Sequence, residues 1–141
     1  MSDVIYPRSS REVMDGWHHL PRYIDKIRLH LGGLLDREYQ SNLGKGFDGL
    51  WLEAAGLTHE QLVAVVKQSV TDGQVCDWVR ENVKRTPAQK KAHWEIMLNR
   101  PAPGDLAALE RFEKRKQLYG HEHRNDVKNF VDLADADEKR I

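Results

Sequence analysis

Three times in succession the chain writes the same helix start: Thr58-x-x-Gln61, Thr71-x-x-Gln74 and Thr86-x-x-Gln89. In such a box the threonine hydroxyl accepts from the N–H three residues on, and the glutamine side chain returns to the threonine's own N–H. Two donors that every helix start leaves open are thereby satisfied. Pro87 strengthens the third, because a proline at the first helical position gives up an N–H that has no partner there. Behind the starts, apolar residues recur at helical spacing. Leu62, Val65, Val66 and Val70 follow the first, Val75, Trp78, Val79 and Val83 the second, and Ala88, Ala92 and Ile96 the third. Trp94, Met97 and Leu98 face away from that alanine stripe, so the third helix is expected either to be central or to present an apolar patch to a partner or a second copy.

The densest stretch is Leu20–Leu35, LPRYIDKIRLHLGGLL. Leu20, Ile24, Ile27, Leu31, Leu34 and Leu35 fall on one face in steps of four and three, with Pro21 in the first turn. One helix over 20–35 is predicted, entered through Trp17, His18 and His19, with Leu20, Ile24, Ile27 and Leu31 in the core alongside Trp78 and Val79. Before it, Ser9 or Ser10 is expected to cap a short turn that Gly16 ends. After it comes the one Gly-rich loop, within Tyr39–Gly49, and then a helix carrying Phe47, Leu50, Trp51 and Ala54, stopped by Gly56. NRPAPG (99–104) breaks the chain. Beyond it, Leu109, Phe112 and Tyr119 line one helix, Val127, Phe130, Val131 and Ala134 another, and a charged tail follows. No segment alternates with period two. The expected class is all-α: a compact single-domain bundle of six or seven short helices over 1–141. Its core spans about 7–100, a helical extension 104–134 and a dispensable tail 135–141.

Composition narrows the function classes. The 141 residues carry 22 basic and 22 acidic side chains. That balance argues against a nucleic-acid or anionic-membrane binder, which carries a basic field. The apolar runs are too short to span a bilayer, and MSDVIYPRSS lacks the basic-then-apolar order of a leader. The single Cys76 excludes an internal disulfide and fits a reducing, cytoplasmic setting as a buried, inert thiol.

Candidate chemistry lies on the far side of helix 20–35. Arg22, Asp25 and Lys26 project there, with Arg28 and His30 flanking the apolar stripe; Arg22 and Lys26, and Asp25 and Arg28, stand at ion-pair spacings. Leu29 points the same way, which suggests that another element covers the face, and covered charges must be paired or serve a ligand. Gly44-Lys45-Gly46 before a helix could offer backbone N–H groups to an anion, but it lacks the spacing of a phosphate loop and reads first as a tight turn, with Asp48 as the cap of the next helix. His18-His19 and His121-x-His123 do not have structural-zinc spacing, so neither metal nor cofactor is expected.

The residues PRSSRE (7–12), LPRYIDKIRLHLGG (20–33), Tyr39, NLGKGFDG (42–49), Gly56 and TDGQVCDWV (71–79) together resemble a small bacterial family catalogued as domain of unknown function 5069. The likeness is closest over about 7–85 and looser in the C-terminal third. Some members carry cysteines after the Phe-Asp-Gly turn, where this chain has Leu50 and Trp51, so no thiol role carries over. The resemblance implies the fold and draws attention to the charged helix face, but implies no reaction. Two functional expectations follow. In the first, Arg22, Asp25, Lys26, Arg28, Tyr39 and Asp48 line a pocket for a small anionic ligand, with the arginines as clamp. In the second, the same charges form a structural network, and the chain binds a protein partner through Trp94, Met97 and Leu98.

Overall fold

The computed structural model describes residues 4–141; the leader expectation falls partly on residues 1–3, outside them. In chain order come β1 (Val13–Met14), β2 (Trp17–His18), α1 (Leu20–Leu31), α2 (Arg37–Gln40), α3 (Phe47–Ala55), α4 (His59–Gln68) and α5 (Asp72–Asn82). They are followed by α6 (Pro87–Leu98), α7 (Leu106–Leu118) and α8 (Phe130–Asp137). The class is all-α. The helix beyond the expected seven is the single turn α2, and no helix among the described residues is long and apolar enough to cross a membrane. Two compact units can be distinguished, Met1–His93 and Trp94–Ile141.

All three capping boxes form reciprocally. Gln61, Gln74 and Gln89 N–H donate to the threonine hydroxyls at 3.2, 3.3 and 3.1 Å, and their side-chain oxygens accept from Thr58, Thr71 and Thr86 N–H. The first unit is built on α1, α3, α4 and α5, with Leu20, Ile24, Ile27, Trp51, Leu62, Val66, Val75 and Val79 in one core. Trp78 and Cys76, expected in the core and as a buried thiol, are instead half-buried at its edge, because they lie beside the Val75–Val79 stripe, and Arg80 Nη2 reaches the Cys76 sulfur at 3.4 Å. Arg85 closes the end of α3, donating to the carbonyls of Ala54 and Ala55 at 2.9 and 3.3 Å.

The structure corrects the expectations in four further places. The Ser9-capped turn forms, Ser9 Oγ accepting from Arg11 N–H at 3.1 Å, but it stops at Glu12, and residues 13–18 form an antiparallel hairpin pairing Val13 with His18 and Met14 with Trp17. Asp15 and Gly16 have φ of 51° and 78°. These are the paired positive values of a two-residue hairpin turn, for which Asp-Gly is a preferred sequence. Lys90 pins this turn, its Nζ donating to the Asp15 carbonyl at 2.5 Å. Secondly, α1 ends at Leu31. Gly33 adopts φ 71° and donates to His30 O, while Leu34 N–H reaches Leu29 O at 2.7 Å. That pair of bonds terminates a helix at a left-handed residue. Leu31 and Leu34 are therefore 46% and 61% exposed instead of buried. Thirdly, α6 is turned over: Ala88, Ala92 and Ile96 are exposed, while His93 and Met97 are buried and Trp94 and Leu98 half-buried. Alanines bury too little area to decide which side of a helix faces inward. Finally, α8 runs to Asp137 and buries Ala136, Asp135 and Glu138, so the tail expected from 135 is part of a packed helix.

In the second unit Phe112, Val127, Leu133 and Ala136 pack together, with Phe130 edge-on to Phe112 at 5.3 Å. Leu109 and Tyr119 flank Phe112 half-buried. Lys116 is buried beneath the 120–129 loop, donating to the carbonyls of Arg124 and Val127 at 3.1 and 3.3 Å.

Candidate functional site

Asp48 is fully buried in the first turn of α3. It is not the cap: Gly46 takes that position, and the Asp48 carboxylate turns inward. Three donors converge on it: Lys26 Nζ on Oδ2 at 2.6 Å, His19 Nε2 on Oδ1 at 2.7 Å and Gly44 N–H on Oδ2 at 3.0 Å. Burial pushes the Asp48 carboxyl up, but the His19 hydrogen bond and the Lys26 charge outweigh it and hold the group below the usual carboxylate range. His19 is held down, first by burial and then by the charges of Lys26 and Arg22, against the opposing pull of Asp48. The pair is therefore an ionised carboxylate and a neutral imidazole. An ionised carboxylate only accepts, so His19 carries its proton on Nε2. Its bare Nδ1 accepts from the Ser10 hydroxyl at 2.9 Å.

The backbone aims these groups. His19 caps α1 at φ 76°, and this turns its ring toward Asp48. Such a left-handed conformation is costly for a non-glycine residue. Ser10 is brought alongside by its own carbonyl, which accepts from His19 N–H at 2.9 Å. The Tyr23 hydroxyl, one turn on, hydrogen-bonds His59 Nδ1 at 2.6 Å, and the two rings lie parallel with centroids 5.8 Å apart. Burial, with the charges of Asp48 and Glu60, raises the Tyr23 phenol and keeps it protonated. His59 also lies over the loop: a Cβ at Gly44 would come within 2.9 Å of its ring. Only glycine lets the loop approach here.

Of the six expected site residues, four share one flank of α1 and two do not. Lys26 meets Asp48, and the Arg22 guanidinium lies 5.6 Å from the centre of the Tyr39 ring while Nη1 donates to Arg8 O at 3.1 Å. Arg22 and Lys26 are both more than nine-tenths buried, and Leu29 is half-covered. Asp25 and Arg28 belong to a second, half-exposed network. Asp25 is taken by Arg8, through its N–H, Nε and Nη2, each at 2.9 Å; Arg8 Nη1 and Arg28 Nη1 then share the Asp72 carboxylate. Ser10, His19, Arg8 and Asp72 were not among the expected residues. Ser10, Arg8 and Asp72 lie in the stretches that carry the family resemblance, whereas His19 gives no signal until the hairpin places it.

The Ser10–His19–Asp48 order invites comparison with a hydrolytic relay, in which the histidine takes the hydroxyl proton and a free carboxylate stabilises the resulting imidazolium. Here burial first, and then the charges of Lys26 and Arg22, disfavour the imidazolium, and Lys26 already pairs with Asp48. Among the described residues no three of His, Cys, Asp and Glu come together as metal ligands would. What the arrangement does provide is two buried cations a turn apart on α1, Lys26 on the Asp48 carboxylate and Arg22 on the Pro7 and Arg8 carbonyls.

Comparison with curated proteins finds no match. The family model described as Domain of unknown function (DUF5069) matches residues 4–140, and the chain belongs to that family.

Proposed function

We propose that the protein binds a small anionic molecule on the flank of α1 that carries Arg22 and Lys26, beside Tyr39 and Asp48. The observation that carries this reading is the burial of both cations, 7% and 5% exposed, one turn apart on a single helix. Each buried charge costs several kcal/mol of desolvation, and cations held rigidly beforehand are what recognition of a carboxylate or phosphate requires. A cytoplasmic setting belongs to the same reading, on the strength of the lone Cys76. The test is thermal unfolding of wild type, Arg22→Ala and Lys26→Met with inorganic phosphate, citrate and sugar phosphates at millimolar concentration. A rise in wild-type midpoint with one of them, lost in Arg22→Ala, is the expected result. A wild type that shifts with none overturns the reading.

A second reading is favoured by the Arg8–Asp25 and Arg8–Asp72 contacts, which commit charges of α1 and α5 to holding the chain's own N-terminal segment. On that reading the network is structural and a protein partner is met elsewhere. Trp94 and Leu98 are half-buried and Met97 is buried in the folded chain, so such a surface would use the first two. Retained partner capture in Arg22→Ala, with no anion response in wild type, would favour it.

A further inference from the structure

We propose that residues 7–12 form a releasable strap across the polar flank of α1, held by ion pairs and hydrogen bonds while the hairpin behind it stays anchored in the core. Its role as a gate rests on the ligand reading above; its existence as a separable segment does not. The composition is the first argument: PRSSRE holds no apolar side chain but the proline, whereas Met14 and Trp17, immediately downstream, belong to the core cluster. The attachments are the second. Arg8 binds Asp25 through three donors and Asp72 through a fourth, and reaches Pro21 O at 3.4 Å. Arg22 Nη1 holds the strap's backbone from below, at Pro7 O and Arg8 O. Ser10 is tied to His19 by both its carbonyl and its hydroxyl.

The third argument is where these attachments sit. The Arg8, Asp25 and Asp72 side chains are 39%, 23% and 35% exposed. Water and salt therefore reach them, and their attraction weakens as the screening length shrinks from about 30 Å at 0.01 M to about 3 Å at 1 M salt. Full opening also breaks the buried hydrogen bonds of Arg22 to Pro7 O and of Ser10 to His19, and uncovers Arg22 and His19 without removing a member of the core cluster. Local opening of this kind, below the free energy of global unfolding, is how proteins expose binding surfaces.

The experiment is amide hydrogen exchange on the full chain, wild type and Arg8→Gln, at about 10 mM and about 0.5 M sodium chloride. In high salt, or in the variant, the amide of residue 8, whose acceptor is the Asp25 carboxylate, is expected to exchange at least about tenfold faster. The amides of Tyr23, Ile24 and Ile27 should be unchanged. An amide of residue 8 that keeps the rate of the α1 amides under both conditions overturns the proposal. If Arg8→Gln does not fold, the wild-type salt series decides alone. Inorganic phosphate, added to both proteins, tests the gate separately. Faster association with Arg8→Gln ties the strap to the anion site. Equal association rates overturn the gate, and binding to neither protein removes the ligand reading; the exchange result judges the strap in every case.

Discussion

Lys26 and Arg28 lie half a turn apart on α1, and each meets a carboxylate, yet their surroundings make them unequal. Lys26 pairs with a fully buried Asp48, while Arg28 and Asp72 are both about a third exposed. Lys26→Met leaves the buried carboxylate to His19 and Gly44 alone and should cost about 3–5 kcal/mol in urea unfolding. Arg28→Met should cost under about 1 kcal/mol. Comparable losses would contradict the burial difference. His93 contributes to the acid limb of stability, together with His19, whose imidazole burial also holds down. His93 is 3% exposed, edge-on to Trp17 at 5.5 Å, and neither ring nitrogen has a hydrogen-bond partner among the described residues. Burial, then the charges of His19 and His18, lowers it from 6.5 to about 4. Its folded value lies below its unfolded one, so the unfolded chain binds more protons between them. Stability is thus full above 6.5 and falls as pH drops toward 4. Thermal midpoints across that window should decline in wild type and decline less in His93→Phe; identical slopes would rule the residue out.

At the scale of elements, helix starts and core faces contribute separately. Thr58→Ala and Thr71→Ala should each cost about 1 kcal/mol, because each removes half of a reciprocal cap. The two sites share no hydrogen-bond partner among the bonds described, so the double variant should lose the sum. Along α1 the two ends differ. Ile27 is completely buried, and Ile27→Ala should cost about 2–5 kcal/mol. Leu31 lies past the point where the helix leaves the core. Its replacement by alanine should change stability by less than about 0.5 kcal/mol, as at most surface positions. A steep loss at Leu31 would mean that the helix stays against the core beyond Gly32.

For the whole molecule, the C-terminal unit carries the sharpest departure from sequence expectation. The last seven residues read as a solvated tail, yet α8 buries Asp135, Ala136 and Glu138, and Glu138 is ion-paired with Arg140. Deleting 135–141 should therefore raise the exchange rates of amides in α7 and α8, with loss of the Phe112–Ala136 contacts. Unchanged exchange there would restore the dispensable tail.

Local chemistry is legible from the chain wherever a structure needs only its neighbours. The three capping boxes and the apolar spacing of α4 and α5 involve residues within a few positions of one another, and their hydrogen-bond partners are written beside them. The Asp15-Gly16 turn and the Gly33 end of α1 are as local, but the spacing predicts a capped turn and a helix to Leu35 in their place. The helical class follows from that, and so does the face of α1 on which charge collects. Sequence alone left open which carboxylate each cation would take, because the partners are far apart in the chain. Lys26 meets Asp48 across 22 residues, and Arg28 meets Asp72 across 44. It also left open the part played by His19, whose ring direction depends on a left-handed backbone set by a hairpin and on a carboxylate 29 residues away. Spacing along a helix says which side chains share a face; only packing against other elements decides which of them lose water, and a charge that loses water must be paired.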